Sequence, residues 1–345
     1  MAKLLSPKPD ISRSTHLFIL MQPHIVFLTP MAPQTTEVIR GMTPPGFKIS
    51  FANTNDQAEH LGLMPEADVI MAAGTFVTAE MIARAPRLKM IQKWGIGVDK
   101  IDLEAARRAG VTVAITAGAT SIPVSEHTLM LMLATSRRLP LAHRSLQEGK
   151  WIASELRTVC AKLDGKTVGL FGFGNIARFV AKRLSGFDVN MIYHSRTRLD
   201  PSVEQQFNVR YADFDTLLAQ SDILSLHAPL TAQTKHLFNA ATFNKMKRGA
   251  MLINTARGEL IDESALVAAL RSGQLSSAGL DTFEGEPPRA DHPLLHMDQV
   301  VATPHSAGGV YDNVPYIVSH MFRNIERHFN KQPLDKADLI VDQPS

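Results

Sequence analysis

The sequence predicts an α/β protein of two domains, each a parallel sheet covered by helices on both faces, with a cleft between them. Three observations carry this expectation. From residue 24 onward, short apolar runs alternate with helix-period stretches, the pattern of βαβ units rather than of hairpins. One run, Thr167-Val168-Gly169-Leu170-Phe171, ends at Gly172 and Gly174 and passes at once into the helical period Ile176, Phe179, Val180, Leu184. Finally, 345 residues that are 45% hydrophobic and 20% charged, with a net charge of +3, have the length for two cores and the balance of a globular chain.

Composition narrows the function classes. Lys and Arg are scattered rather than run together, so neither nucleic acid nor a membrane surface is an expected partner. No apolar stretch is long enough to span a bilayer. Cys160 is the only cysteine, which excludes an intramolecular disulfide and a cysteine-rich metal site; no metal is expected, and a reducing, cytoplasmic location is. Residues 1–20 hold few acids and several Ser, Lys and Arg, and their apolar run at 17–21 is too short for a signal-peptide core. They read as a disordered extension, with the fold beginning near Met21.

Taken in order, strands are expected at 25–28, 47–51, 69–72, 90–93 and 111–115. Between them lie helix-period stretches at 78–84, with Thr78 as N-cap, and at 103–109, ended by Gly110. The rhythm breaks at Thr116-Ala117-Gly118-Ala119-Thr120. After Pro123 a long helix is expected over 125–138, with Glu126, Leu129, Met130, Leu133 and Arg137 at helical spacing. A helix so apolar and Met-rich suits a core or a subunit interface, and a homodimer is expected. Further strands follow at 167–171, 189–193, 223–226, 251–253, 278–280 and 300–303. The tail resumes a helical period, Val314, Ile317, Met321, Ile325 and Phe329, placed to return to the first domain. Residues 21–116 with 309–345 are thus expected to form one domain and 117–308 the other.

Gly172, Gly174 and Ala177 match the dinucleotide fingerprint. The first glycine permits a tight turn, the second lets backbone approach a pyrophosphate, and the third position needs only a small residue for helix-strand packing. The helix opened by Asn175 and Ile176 offers unpaired N–H groups to a phosphate. About twenty residues on, where the ribose-reading residue belongs, the chain has His194-Ser195-Arg196-Thr197-Arg198, with no acid until Asp200; Asp188 comes too early. A carboxylate there would repel a 2'-phosphate, whereas a hydroxyl and a guanidinium bind one. NADP is therefore the expected cofactor, with NAD possible.

Polar residues follow four later strands: His227, Arg257, Asp281 with Glu286, and His305. In an open parallel sheet such positions face one crevice outside the carboxyl ends of the strands. Reduction of a 2-oxo acid needs a carboxylate anchor, an acid for the carbonyl oxygen, and a group that sets that acid's proton affinity. Arg257 suits the first role, His305 the second and Glu286 the third.

The motifs Gly172-Phe173-Gly174-Asn175-Ile176-Ala177, Asn254-Thr255-Ala256-Arg257-Gly258-Glu259-Leu260-Ile261-Asp262, Leu280-Asp281-Thr282-Phe283-Glu284-Gly285-Glu286-Pro287 and Thr303-Pro304-His305-Ser306-Ala307-Gly308-Gly309 together resemble those of the D-isomer-specific 2-hydroxyacid dehydrogenases, over about residues 21–333. The resemblance implies two Rossmann-like, flavodoxin-like domains, and Arg257, Glu286 and His305 as the catalytic residues. It places Asp281 and the backbone of Ala256 at the nicotinamide carboxamide. The wider cofactor set expected is Gly172, Gly174, Asn175, Ile176, Ala177, Ser195, Arg196, Thr197, His227, Pro229, Thr234, Thr255, Ala256, Asp281 and Gly308. Gly95-Ile96-Gly97-Val98-Asp99 matches the family's substrate loop, so Gly95, Ile96 and Gly97 are expected to hold the carboxylate with Arg257 and His305. Trp94 beside them walls the pocket, stacks on a substrate chain or belongs to the domain core.

Departures from the family pattern bear on substrate. Members acting on 3-phosphoglycerate carry Arg near the end of the third strand, where this chain reads Ala72-Ala73-Gly74-Thr75. The family's acidic ribose residue is replaced by Ser195. Glyoxylate and hydroxypyruvate are the expected substrates, reduced to D-2-hydroxy acids. The resemblance also embraces nucleotide-sensing corepressors, disfavoured by the intact Arg257, Glu286 and His305. It further includes formate enzymes, which carry Gln in place of Glu286, and phosphite enzymes, left open by these motifs.

Overall fold

Two sheets organise residues 22–342, the part of the chain that the computed structural model describes; the extension expected over 1–20 lies outside the described residues. The strands are β1 (His24–Phe27), β2 (Lys48–Phe51), β3 (Val69–Ala72), β4 (Met90–Lys93), β5 (Thr112–Ala114), β6 (Thr167–Phe171), β7 (Asn190–His194), β8 (Val209–Tyr211), β9 (Ile223–Leu226), β10 (Ala250–Asn254), β11 (Leu275–Leu280), β12 (Val300–Ala302) and β13 (Leu339–Val341). The helices are α1 (Pro33–Met42), α2 (Gln57–Leu63), α3 (Ala79–Ala83), α4 (Leu103–Arg108), α5 (Ser121–Ser136), α6 (Leu139–Gln147), α7 (Ala153–Val159), α8 (Asn175–Leu184), α9 (Pro201–Phe207), α10 (Phe214–Gln220), α11 (Ala240–Lys245), α12 (Glu263–Arg271) and α13 (Val314–Phe329). None of the helices among the described residues is long and apolar enough to cross a membrane.

The first sheet has the order β13-β5-β4-β3-β1-β2 and the second β12-β11-β10-β9-β6-β7-β8. Every neighbouring pair is parallel except β13 with β5. In each sheet the winding reverses once, between β1 and β3 and between β6 and β9, and such a reversal opens a crevice at the carboxyl ends of the strands. Both faces of each sheet are covered, which is why the central strands read as continuous apolar runs.

The tail returns as expected. Val314, Ile317, Val318, Met321, Phe322 and Ile325 of α13 pack with Ile25, Phe27, Val69, Met71 and Met90 of the first sheet. The chain crosses between the sheets twice, before α5 and before α13, and the tail stitches the first crossing. Asp338 accepts from the amide of Ala117 at 2.9 Å and pairs with His320 at 2.6 Å, while its carbonyl takes the amide of Ile115 at 2.8 Å.

Some boundaries differ from expectation. The helix expected over 125–138 begins at Ser121, so Pro123 sits in its first turn, where the missing N–H has no partner to lose. It ends before Arg138, which turns into the left-handed region at φ 53. Strands β8 and β13 are not among the expected runs; each has only three residues. Thr78 does cap α3, accepting from the amide of Met81 at 3.3 Å.

Candidate active site

Gly172 follows β6 at φ +89, and a Cβ there would lie 2.8 Å from the carbonyl carbon and oxygen of His227. Glycine is required twice over, by backbone conformation and by the close approach across the β6–β9 crevice. Gly174 is the N-cap of α8 and has no side-chain cap; a Cβ on it would meet nothing within 4 Å. The first amides of α8, at Asn175 and Ile176, have no partner among the described residues, which fits a dinucleotide pyrophosphate. Ala177 is fully buried and supports this turn from below, as packing rather than as a contact surface.

At the end of β7, His194 bonds the carbonyl of Ala212 at 3.0 Å and stacks on Phe171. The Ser195 hydroxyl donates to the carbonyl of Thr197 at 2.6 Å. Arg196 is exposed, with no hydrogen bond or ion pair among the described residues, and Thr197 is exposed beside it. The nearby acids are engaged elsewhere. Asp200 caps α9 through the amide and hydroxyl of Ser202. Glu204 is held by Arg198 at 2.9 and 3.0 Å and by the Tyr193 hydroxyl at 2.8 Å, contacts that keep its carboxyl below the usual range. Burial pushes His227 down to about 3, so it is a neutral ring bonded to Ser225 at 2.9 Å. Pro229 is exposed, and its carbonyl accepts from the Thr234 hydroxyl at 2.8 Å.

The third part of the site lies where the two domains meet. Arg257 donates from Nε to Asp99 at 2.9 Å and from Nη1 to the carbonyl of Ala256 at 2.7 Å. Its guanidinium presses on Gly97, where a Cβ would sit 1.4 Å from Nη2. Gly258 brings the Arg257 loop onto the next one, since a Cβ there would overlap the carbonyl carbon of Phe283 at 1.9 Å. His305 stands at φ 50, a costly conformation for a residue with a side chain. Asp281 holds it there: its carbonyl takes the His305 amide at 2.8 Å, and its carboxylate takes the Ser306 amide at 2.9 Å and the Ala307 amide at 3.0 Å. Thr303, at 2.6 Å, and His127, at 3.3 Å, complete the clamp. Burial alone would raise the Asp281 pKa, but these donors outweigh it and hold the carboxyl below its ordinary value.

The His305 ring turns Nδ1 to both oxygens of Glu286, at 2.9 and 2.8 Å. Nε2 has no partner among the described residues, and the side chain is 46% exposed. Burial pushes Glu286 upward, yet His305, the Phe283 amide and Lys100 outweigh it and leave the carboxyl below its usual range. Lys93 ends β4 with its ammonium on the carbonyls of Ala73 and Trp94. Burial, then the charges of Arg257 and Lys100, push it down to about 8 against the opposing pull of Asp99.

The structure therefore brings Arg257, Glu286 and His305 to one place, against the loop that carries Gly97, Asp99 and Lys100. Not every expected contact faces it. The Gly95 amide donates to Thr116 Oγ1 at 2.7 Å, so it is taken within its own domain; the amides of Ile96 and Gly97 have no partner among the described residues. Trp94 sets its ring edge on Phe27 and packs with the first core. The buried Thr255 hydroxyl bonds Thr128 at 2.9 Å, the Ala256 amide is taken by Asn254 at 3.0 Å, and Gly308 packs on Thr120 at the start of α5. Lys93, Asp99, Lys100 and His127 were not among the expected residues. The signal for the first three was a lysine ending an expected strand and an Asp-Lys pair directly after Gly-Ile-Gly-Val.

Among the described residues no group of three or more His, Cys, Asp or Glu is arranged to hold a metal. Residues 129–307 match the family model described as D-isomer specific 2-hydroxyacid dehydrogenase, NAD binding domain. The hydroxypyruvate reductase of Thermotoga maritima is 44% identical over 254 residues, 72% of this chain and 81% of its own length. The D-3-phosphoglycerate dehydrogenase of Archaeoglobus fulgidus is 37% identical over 303 residues, 86% of this chain; the chain spans only 56% of that longer relative. The crystal structure of NAD-dependent formate dehydrogenase from Staphylococcus aureus in complex with NAD superposes with a TM-score of 0.85 at 32% identity, covering 93% of this chain and 100% of that one.

Proposed function

The chain belongs to the D-isomer-specific 2-hydroxyacid dehydrogenases, a nicotinamide-dependent oxidoreductase family, and on that premise we propose that it reduces a small, unphosphorylated 2-oxo acid to the D-2-hydroxy acid. Glyoxylate and hydroxypyruvate are the first substrates, and NADPH is the preferred reductant. The observation that carries this reading is the meeting of Arg257, the His305–Glu286 pair and the unpaired amides of Ile96 and Gly97 at one cleft.

When bound, the reduced nicotinamide supplies the hydride that goes to the carbonyl carbon. The residues that would hold it are Gly172, Gly174 and Asn175 at the pyrophosphate, with Ser195, Arg196 and Thr197 at the ribose. His227, Pro229 and Thr234 line the remainder, while Asp281 sets the loop that carries His305. The substrate carboxylate is assigned to the Arg257 guanidinium and the amides of Ile96 and Gly97, a charged fork joined by two backbone donors. That grip turns the carbonyl oxygen toward His305 Nε2, which gives up its proton as the hydride arrives. Glu286 fixes the ring through Nδ1. Residues 21–116 with 309–345 act as the substrate domain and 117–308 as the cofactor domain, and their closure excludes water from the reacting atoms.

The preference for NADPH rests on the ribose end, where Arg196 is unengaged, Glu204 is paired with Arg198 and Asp200 is taken up as the cap of α9. Ser195→Asp is expected to shift preference from NADPH to NADH, read as the ratio of kcat/KM for the two; an unchanged ratio would refute this view of the ribose site. An unphosphorylated substrate fits the absence of Arg at Ala72-Ala73-Gly74, since Lys93 turns its ammonium onto backbone carbonyls instead. A homodimer is supported by apolar side chains left exposed along α5 to α7, among them Ile122, Met130, Leu133, Leu139, Leu146 and Trp151. A cytoplasmic location rests on the lone Cys160.

The test is an initial-rate screen of 2-oxo acids with each nicotinamide. Turnover of glyoxylate or hydroxypyruvate, faster with NADPH, is expected. Tight cofactor binding without turnover of any 2-oxo acid would overturn the reading and favour a nucleotide-sensing binding protein.

A further inference from the structure

We infer that Lys100 is a positioning residue which reaches across the cleft to Glu286, shares that carboxylate with the imidazole of His305, and thereby couples protonation of the pair to domain closure. The inference rests on the proposed role of His305 as proton donor. Lys100 Nζ stands 3.8 Å from Glu286 Oε2, with the two side chains 29% and 22% exposed. The ammonium also lies 5.5 Å from the centre of the Phe76 ring, a contact that favours the cation. Its backbone is fixed as well: the Val77 amide donates to the Lys100 carbonyl at 2.8 Å, and Val77 bridges to Ile101. The next residue back, Asp99, pairs with Arg257. Neighbouring residues of one loop thus send opposite charges to two charged residues of the other domain.

Distance decides what Lys100 contributes. The imidazole holds both Glu286 oxygens within hydrogen-bonding range, whereas 3.8 Å is too long for a hydrogen bond. Lys100 therefore acts on the pair through its charge. Glu286 is faced by His305, by the Phe283 amide and by Lys100; Arg257, Asp99 and Lys100 in turn act on the charge of Lys93. A cation at this place opposes proton uptake by the pair. Because it belongs to the other domain, opening the cleft withdraws it. The pair then takes up its proton more readily when open and releases it more readily when closed on substrate, the order that reduction requires.

The test is a nuclear magnetic resonance titration of the His305 ring in the full chain, its signal identified by loss in His305→Asn, compared among wild type, Lys100→Met and Lys100→Arg. Lys100→Met is expected to move the midpoint upward by about half to one pH unit, with Lys100→Arg restoring the wild-type midpoint. Lys100→Gln replaces the Met variant should that one not fold. The pH-rate profile of 2-oxo acid reduction should shift the same way, with KM little changed. An unmoved midpoint would overturn the inference, and so would a raised KM without a shift, which would make Lys100 a substrate ligand. The ring titration needs no turnover, so a protein inert to every 2-oxo acid would sink the proposed activity alone.

Discussion

Arg257, Glu286 and His305 could be read from the sequence because each follows an apolar run, and the carboxyl ends of parallel strands face a common crevice. Their partners could not. Asp99 and Lys100 stand out along the chain only as an Asp-Lys pair after Gly-Ile-Gly-Val, and which residues they meet is set only when the other domain is placed against them. Lys93 carries a consequence for pH. Its folded pKa, about 8, lies below the ordinary 10.5, so between these values the unfolded chain binds more protons and stability rises with pH. The cost of burying the charged amine is fully present below about 8 and relieved toward about 10.5. Lys93→Met should remove that rise: in urea unfolding at several pH values, the stability of wild type relative to the variant grows across this window. A constant difference between the two would show that Lys93 is charged throughout.

At the scale of elements, the strands and the fingerprint helix were legible wherever apolar runs reached four or five residues, as at β3, β6 and β10. Strand β13 was not, because Leu339-Ile340-Val341 becomes a strand only by pairing with β5 across more than two hundred residues. Pro123 misled the start of α5, since a first-turn proline marks a helix start only to within a turn. Two glycines separate turn geometry from site geometry. Gly172→Ala would meet backbone at φ +89, and should lower stability by more than about 1 kcal/mol and weaken cofactor binding. Gly97→Ala would meet a side chain, the Arg257 guanidinium. It should leave thermal stability near wild type while raising KM for the 2-oxo acid. Equal losses of stability in both variants would contradict the distinction.

The whole molecule is two sheets, each with its own core, joined where the Asp338 network ties the tail to the crossing before α5. The exposed apolar residues of α5 to α7 flank the second sheet, and Trp151, 82% exposed, stands out among them. Trp151→Glu with Leu146→Glu is expected to convert a dimer to a monomer in sedimentation velocity; a wild-type chain that sediments as a monomer would contradict the assignment of that face. The meeting of three chemically distinct side chains from three loops is what makes the molecule more than a nucleotide fold. That they work as one unit on a 2-oxo acid is tested most directly by single-turnover reduction in His305→Ala, Glu286→Gln and the double variant. His305→Ala should lose about a hundredfold or more, and the double variant should lose no more than His305→Ala does, since Glu286 acts through the ring. Independent, multiplying losses, or a near-normal rate in His305→Ala, would contradict it.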